Sequence, residues 1–283
     1  VDETDPLVEK GSWSLMPQPG SPFPWRTAND ADFDITGNMT PQGAYRSVVW
    51  GSTKTHLFSM HPESFGKIEM MTMWGFPGVL KNWNYAGWED HEVKLVVYSN
   101  AEEVEVFLNG RSLGRKPVCM ERPMPNSVSF DTKYEPGKVE AVSYAGGREV
   151  SRDSLVTAEQ AAALRLTVEK NRLKADGHDV CYALIEVVDA HGNTVPDAEL
   201  PLSVKVTGIN GSAVADASKA AYLAGFGSGN PVTEDNYTDA ETTSFRGRAT
   251  VVIRAGRQTG AVTLEVTAEG LPPVSAVIEV EER

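Results

Sequence analysis

The sequence predicts a mainly β chain, two β-sandwich domains preceded by a short, partly helical segment. Three observations carry this expectation. Runs with two-residue apolar alternation recur from His91 onward, as in Val93, Leu95, Val97 and then Val104, Val106, Leu108. Turn signals punctuate these runs at short intervals, among them Asn109-Gly110, Glu135-Pro136-Gly137, Ala145-Gly146-Gly147 and Asp176-Gly177. All six tryptophans lie at or before Trp88, which separates an aromatic leading segment from a strand-rich remainder. The 283 residues suit two domains, or three small ones, at about 150 residues each for the larger kind.

Along the chain, Pro17, Pro19, Pro22 and Pro24 forbid regular helix or central strand in the first stretch. Thr40 then reads as an N-cap and Pro41 as the first position of a short helix running to Trp50. Strands follow over 93–97 and 104–108, and Asn109-Gly110 supplies the positive φ values of a tight hairpin whose returning strand is 111–115. Strands over 127–130, 138–144 and 148–157 complete a first sandwich. Residues 158–163 read as a linker or a single helical turn. A second sandwich draws its strands from 164–169, 180–189, 202–207, 247–254, 261–268 and 274–281, each rich in β-branched residues. Between them, 208–245 is long, small-residue-rich and acidic, and is expected to be a surface excursion. The domain boundaries are therefore set at 1–88, 89–157 and 158–283.

Composition excludes several function classes. The net charge is −13 with no local Lys/Arg cluster, so nucleic acid and anionic membrane surfaces are not expected partners. The longest apolar runs fall far short of the ~20 residues of a membrane helix. Val1-Asp2-Glu3-Thr4-Asp5 has neither an initiator Met nor the features of a signal peptide, as an internal fragment would. Cys119 and Cys181 fall in different domains and are expected to be free thiols.

No constellation of catalytic residues stands out. Gly225-Phe226-Gly227-Ser228-Gly229 lacks both the spacing and the strand-to-helix context of a dinucleotide loop and reads as a flexible loop. Asp30, Asp32 and Asp34 begin like a calcium loop, but Ile35 replaces the turn glycine and Pro41 the bidentate glutamate, so they read as solvated or capping carboxylates. The acidic run Glu234, Asp235, Asp239, Glu241 reads the same way. His56, His61, His91, His178 and His191 lack zinc-ligand spacing, and Gly-x-Ser-x-Gly is absent. No cofactor and no metal is expected. Glycoside hydrolysis needs two carboxyls facing each other across a sugar, and nothing singles out such a pair. The proline-stiffened loop with Phe23, Trp25, Arg26 and Asn29 has the composition of a sugar-stacking platform; the alternative is packing of its rings between domains. Trp50, Trp74, Trp83 and Trp88 are assigned to core or interface packing.

Three stretches resemble the β-galactosidase-like glycoside hydrolases of family 2. Phe23-Pro24-Trp25-Arg26, Asp34-Ile35-Thr36-Gly37 and the segment 41–50 are similar to the last loop and closing helix of that family's (β/α)8 barrel. The run from Val97 to Gly114, with Val104-Glu105-Val106-Phe107-Leu108-Asn109-Gly110-Arg111 at its centre, resembles the immunoglobulin-like module that follows the barrel. Residues 166–189, with Lys174-Ala175-Asp176-Gly177 and Val187-Val188-Asp189-Ala190-His191-Gly192, together with Phe245-Arg246-Gly247-Arg248-Ala249, resemble a further C-terminal module of the same enzymes.

The resemblance implies a remnant of the catalytic barrel over 1–88 followed by two immunoglobulin-like β-sandwiches, over 89–157 and 158–283. It also implies a parent enzyme that cleaves terminal β-glycosyl residues by a retaining, two-glutamate mechanism. Both catalytic glutamates would lie upstream of these residues, so the chain alone is expected to be an inactive accessory segment whose partner is the parent's catalytic barrel. Only Phe23, Trp25, Arg26 and Asn29 carry over, as substrate-binding residues near the barrel mouth. The competing hypothesis is a carbohydrate-binding module, for which Tyr222, Phe226 and Tyr237 of the long excursion would supply the aromatics. A periplasmic or secreted parent is inferred from the family alone.

Overall fold

A computed structural model describes residues 12–13, 23–24, 26, 31–67, 69–70, 76–121, 124–208 and 219–282. The chain divides into two units, Val1–Thr157 and Ala158–Arg283. The first contains strands β1 (Ser12–Trp13), β2 (His56–Met60), β3 (Glu69–Met70), β4 (Val79–Leu80), β5 (Glu92–Tyr98), β6 (Glu103–Leu108), β7 (Arg111–Pro117), β8 (Ser127–Lys133), β9 (Lys138–Ala145) and β10 (Arg148–Val156), with one helix, α1 (Pro41–Val49). Two four-stranded sheets, β4-β2-β5-β8 and β10-β9-β6-β7, face each other, and β1 pairs parallel with β3. Leu57, Val93, Leu95, Val97 and Phe130 of one sheet share a core with Val104, Val106, Leu108, Val139 and Leu155 of the other. Trp83 is fully buried in that core, its Nε1–H donating to the Glu135 carbonyl at 3.1 Å.

The Asn109-Gly110 hairpin forms as its sequence requires, with φ of 50° and 80° at the two central residues. Asn109 also accepts from the Lys138 amide at 2.8 Å and donates to the Pro136 carbonyl at 3.0 Å, tying the hairpin tip to the next turn. The leading segment does more than flank this sandwich: β2 and β4, both before residue 89, are strands of its first sheet, with His56 opposite Tyr98 and Ser59 opposite Leu95. The other face of that sheet is covered too. Phe58 and Tyr98 point away from the sandwich core and pack with Ala44 and Val48 of α1 and with Val79. A sheet buried on both faces explains why Val96, Val97 and Tyr98 run on without a polar residue. Helix α1 begins where the sequence places it: Thr40 Oγ1 accepts from the Gly43 amide at 3.1 Å, and Pro41 occupies the first turn.

The second unit contains β11 (Ala163–Val168), β12 (Arg172–Lys174), β13 (Val180–Val188), β14 (Pro201–Gly208), β15 (Ala221–Gly227), β16 (Glu241–Thr243), β17 (Arg248–Ala255), β18 (Gly260–Ala268) and β19 (Val274–Glu281). They form sheets β11-β13-β17-β15 and β12-β19-β18-β14-β16 around a single core that includes Ile185, Val187, Val251 and Ile253 from one and Val204, Val262, Leu264 and Ile278 from the other. Strand β15 corrects two expectations. The stretch 208–245 is not wholly a surface excursion, and Gly225 to Gly227 is not a flexible loop. Ala221 and Phe226 are buried, and β15 pairs with β17 from Ala221 opposite Ala255 to Gly227 opposite Thr250. The glycines that disguise it have a packing reason. A Cβ on Gly227 would lie 2.5 Å from Cδ1 of Tyr237, whose ring closes over the strand.

Candidate functional site

The residues singled out as sugar-binding divide. Trp25 and Asn29 lie outside the described residues. Phe23 is 64% exposed, and the Arg26 guanidinium sits 5.2 Å from its ring centroid in a cation–π contact. Exposed apolar side chains concentrate in the same stretch of sequence: Phe23, Phe33, Ile35, Met39, Val49 and Trp50 are six of the eleven large hydrophobics left exposed in the described chain. Trp50 is 81% exposed, so the described residues give this ring no core. Trp74 lies outside the described residues.

The aspartates of the same segment are engaged locally. Asp34 Oδ1 accepts from the Thr36 amide and hydroxyl and from the Asn38 amide at 2.7–2.9 Å, forming a tight turn. Asp32 pairs with Arg46 of α1 at 2.8 Å. In the second unit Asp235 accepts from the Thr242 hydroxyl at 2.6 Å and Asp239 from the Asn236 side chain at 2.9 Å. Among the described residues no group of three His, Cys, Asp or Glu side chains is placed to hold a metal ion. Cys119 is exposed and Cys181 buried, both as free thiols, and burial pushes the Cys181 pKa up.

Among the described residues two acidic side chains are buried, and both are structural. Glu186 lies between Arg165 and Arg248 in one row across β11, β13 and β17. Its Oε2 accepts from Arg165 Nε and Nη2 at 2.9 and 2.7 Å, and its Oε1 from the Thr194 hydroxyl at 2.9 Å and Arg248 Nε at 3.3 Å. Burial works to raise its pKa, but these donors outweigh burial and hold it below the usual glutamate value. Asp189, at the end of β13, is 2% exposed. Its Oδ1 accepts from the His191 and Asn193 amides at 2.9 and 2.8 Å, and its Oδ2 from the Glu159 amide and Asn193 Nδ2, both at 3.0 Å. Burial alone would raise this pKa too; the donors bring it down to about 2. A glutamate fixed between two arginines and an aspartate with every lone-pair direction filled have no free valence for a sugar.

The half-buried Asp153 of β10 accepts from the Leu57 amide at 2.7 Å and from Lys81 Nζ, so it too is committed to holding the sandwich together. Nearby His56, whose Nε2 lies 3.5 Å from Ser47 Oγ, has its pKa lowered by burial despite the Asp153 charge. No hydrogen bond links His56 to Asp153 among the described residues, so Ser47, His56 and Asp153 are not a relay. Of the aromatics assigned to a carbohydrate-binding loop, Phe226 is 1% exposed in the core and cannot stack on a ligand. The sequence reading also missed the grouping of His61, Trp88 and His91. Only the closeness of Trp88 to His91 in the chain hinted at it, because His61 joins them through strand pairing.

The described chain is thus two β-sandwich units whose buried carboxylates are held by structural hydrogen bonds, and it is similar to known proteins over most of its length. Residues 164–277 match the model of glycoside hydrolase family 2 C-terminal domain 5, and residues 90–151 match a domain of unknown function, DUF4982. The chain belongs to the C-terminal region of glycoside hydrolase family 2. It is similar to Beta-galactosidase BoGH2A of Bacteroides ovatus, with 31% identity over 88% of this chain and 28% of that protein. Among solved structures it resembles a glycosyl hydrolase family 2 member from Bacteroides cellulosilyticus, with a TM-score of 0.79, 29% identity, and coverage of 92% of this chain and 32% of that one. It also resembles a β-glycosidase from Bacteroides vulgatus, with a TM-score of 0.75, 26% identity, and coverage of 95% and 30%. The chain thus spans less than a third of each of these relatives.

Proposed function

We propose that this chain is a non-catalytic C-terminal accessory segment of a retaining β-galactosidase-like glycoside hydrolase. In this reading the first sandwich is the immunoglobulin-like module, the segment before it is the end of the catalytic (β/α)8 barrel, and the parent acts in the periplasm or outside the cell. The observation that carries the proposal is the fate of the buried carboxylates. A retaining glycosidase needs two carboxyls about 5–5.5 Å apart with open faces toward a sugar, whereas Glu186 and Asp189 are consumed by arginines and amides. The exposed apolar residues from Phe23 to Trp50 support a partner that buries them, which in this reading is the parent barrel. Phe23, Trp25, Arg26 and Asn29 then stand at the barrel mouth.

The test is hydrolysis of nitrophenyl β-galactoside and nitrophenyl β-glucuronide by this chain, beside a form extended upstream through the barrel. Turnover by the extended form alone is the expected outcome. Turnover by this chain alone would overturn the accessory reading.

A further inference from the structure

The antiparallel pairing of β2 with β5 carries the end of β2 toward the start of β5, and so brings His61 beside Trp88 and His91. The ring centroids of His61 and His91 lie 5.4 and 5.1 Å from that of Trp88, and both imidazoles stand steeply to the indole plane. Beneath them the cluster is anchored. His61 contacts Tyr85 at 5.0 Å, and Tyr85 in turn packs on Trp83 and Tyr134 in the sandwich core. The backbone is fixed as well, with the Trp88 amide bonded to the Tyr85 carbonyl at 3.0 Å and the His91 amide to the Trp88 carbonyl at 3.1 Å.

The hydrogen bonds on one side of each imidazole determine the other side. His61 Nδ1 accepts from the Glu63 amide at 3.2 Å, so the proton of the neutral ring is on Nε2. His91 Nδ1 lies 3.1 Å from the Glu89 carbonyl, which can only accept, so the proton is on Nδ1 and Nε2 carries a lone pair. Neither Nε2, nor Trp88 Nε1–H, has a hydrogen-bond partner among the described residues; His61 Nε2 and Trp88 Nε1 are not among the fully buried unpartnered atoms, and His91 is an exposed residue. A half-buried indole is thus joined by an exposed and a half-buried imidazole, and the three rings hold two donors and one acceptor not used within the described chain.

We propose that Trp88, His61 and His91 form a binding subsite for one neutral pyranose ring of a glycan. Apolar C–H groups of a sugar fit aromatic side chains, and each sugar hydroxyl both donates and accepts, which suits a mixed set of tips. The chain's net charge of −13 disfavours an acidic sugar at the same place. The subsite is independent of the accessory reading, since it needs no barrel and performs no chemistry.

The test follows the six indole N–H signals by two-dimensional NMR of the whole chain, with methyl β-galactoside, methyl β-glucoside and lactose as neutral probes and methyl β-glucuronide as the charged one. A saturable shift of the Trp88 indole signal by at least one neutral probe is expected, weaker or absent with the glucuronide. H91A should weaken binding about five-fold, as the loss of one hydrogen bond would. H61F should do the same while keeping the ring contact to Tyr85. The Trp83 signal, held by the Glu135 carbonyl, reports that each variant remains folded. Absence of any saturable Trp88 shift, equal binding of the glucuronide, or unchanged affinity in both folded variants overturns the proposal.

Discussion

Replacing Asp189 by Asn tests whether the turn after β13 is a stabilising hub of the second unit. The carboxylate receives four hydrogen bonds and is nearly inaccessible, so solvent screens it little. Lowering its pKa from 3.8 to about 2 corresponds to about 2 kcal/mol of folding free energy at pH 7, at about 1.4 kcal/mol for each pH unit. The folded pKa lies below the unfolded one, so this contribution is complete well above 3.8 and is lost as pH falls toward 2; about 1 kcal/mol of it is gone by pH 3. In the Asn variant the NH₂ group faces donors at the Oδ2 position, the Glu159 amide and Asn193 Nδ2–H, and the expected loss at pH 7 is about 2–3 kcal/mol. The second unit has no tryptophan, but Cys181 is fully buried in it. Its labelling by a thiol reagent during urea unfolding at pH 7 reads the loss. Circular dichroism at pH 5 and pH 3 reads the acid dependence, which should be shallower in the variant. A loss under about 0.5 kcal/mol, or parallel acid dependence in both proteins, refutes the reasoning.

Three further outcomes follow from packing. Gly43 lies inside α1, where Ala normally stabilises a helix by about 1 kcal/mol, but a Cβ there would meet the Asp32 carbonyl oxygen at 2.1 Å. G43A should therefore destabilise the first unit by about 1–3 kcal/mol, read by tryptophan fluorescence, which reports that unit alone. Thr40→Ala removes the cap on the Gly43 amide and the bond to the Ala31 carbonyl, and should cost about 1 kcal/mol by the same measurement. Phe226→Ala should cost the second unit about 3–5 kcal/mol in the Cys181 labelling assay, whereas a side chain on a surface loop would cost almost nothing.

Local chemistry made part of the fold legible. The Asn109-Gly110 turn, the Thr40-Pro41 helix start and the alternation in β5 and β6 each act within a few residues, and each appears where the sequence places it. What escaped depends on partners distant in the chain. Strand β15 reads Ala-Tyr-Leu-Ala-Gly-Phe-Gly and lacks β-branched residues; its glycines make sense only once the Tyr237 ring is seen against Gly227. Strand β2 is a five-residue run among aromatics and prolines, and only its pairing with β5 assigns it to the sandwich. The same pairing hid the His61, Trp88 and His91 cluster. For Phe23, Trp25, Arg26 and Asn29 the pattern carried little beyond a stiff aromatic loop, and the expectation of sugar contact rested on family resemblance.

The layering of the first unit bears on why a segment outside the sandwich would be retained. One sheet has the sandwich core on its inner face and α1 on its outer face, so Phe58, Val96 and Tyr98 are already covered by the chain itself. A helix serving only as that cover would carry polar residues on its far side. Instead Val49 and Trp50 at its end, and Phe33, Ile35 and Met39 in the approach to it, remain exposed. Leaving these side chains in water forfeits about 1.5–3 kcal/mol for each one that a partner would fully bury. The apolar succession from sandwich core to sheet to helix therefore continues outward, and an additional layer beyond α1 is what our accessory reading supplies. Substituting Trp50 by Ser should accordingly leave the stability of this chain within about 0.5 kcal/mol and weaken its association with a separately produced barrel; a large loss of stability in the isolated chain would place the ring in a core of its own.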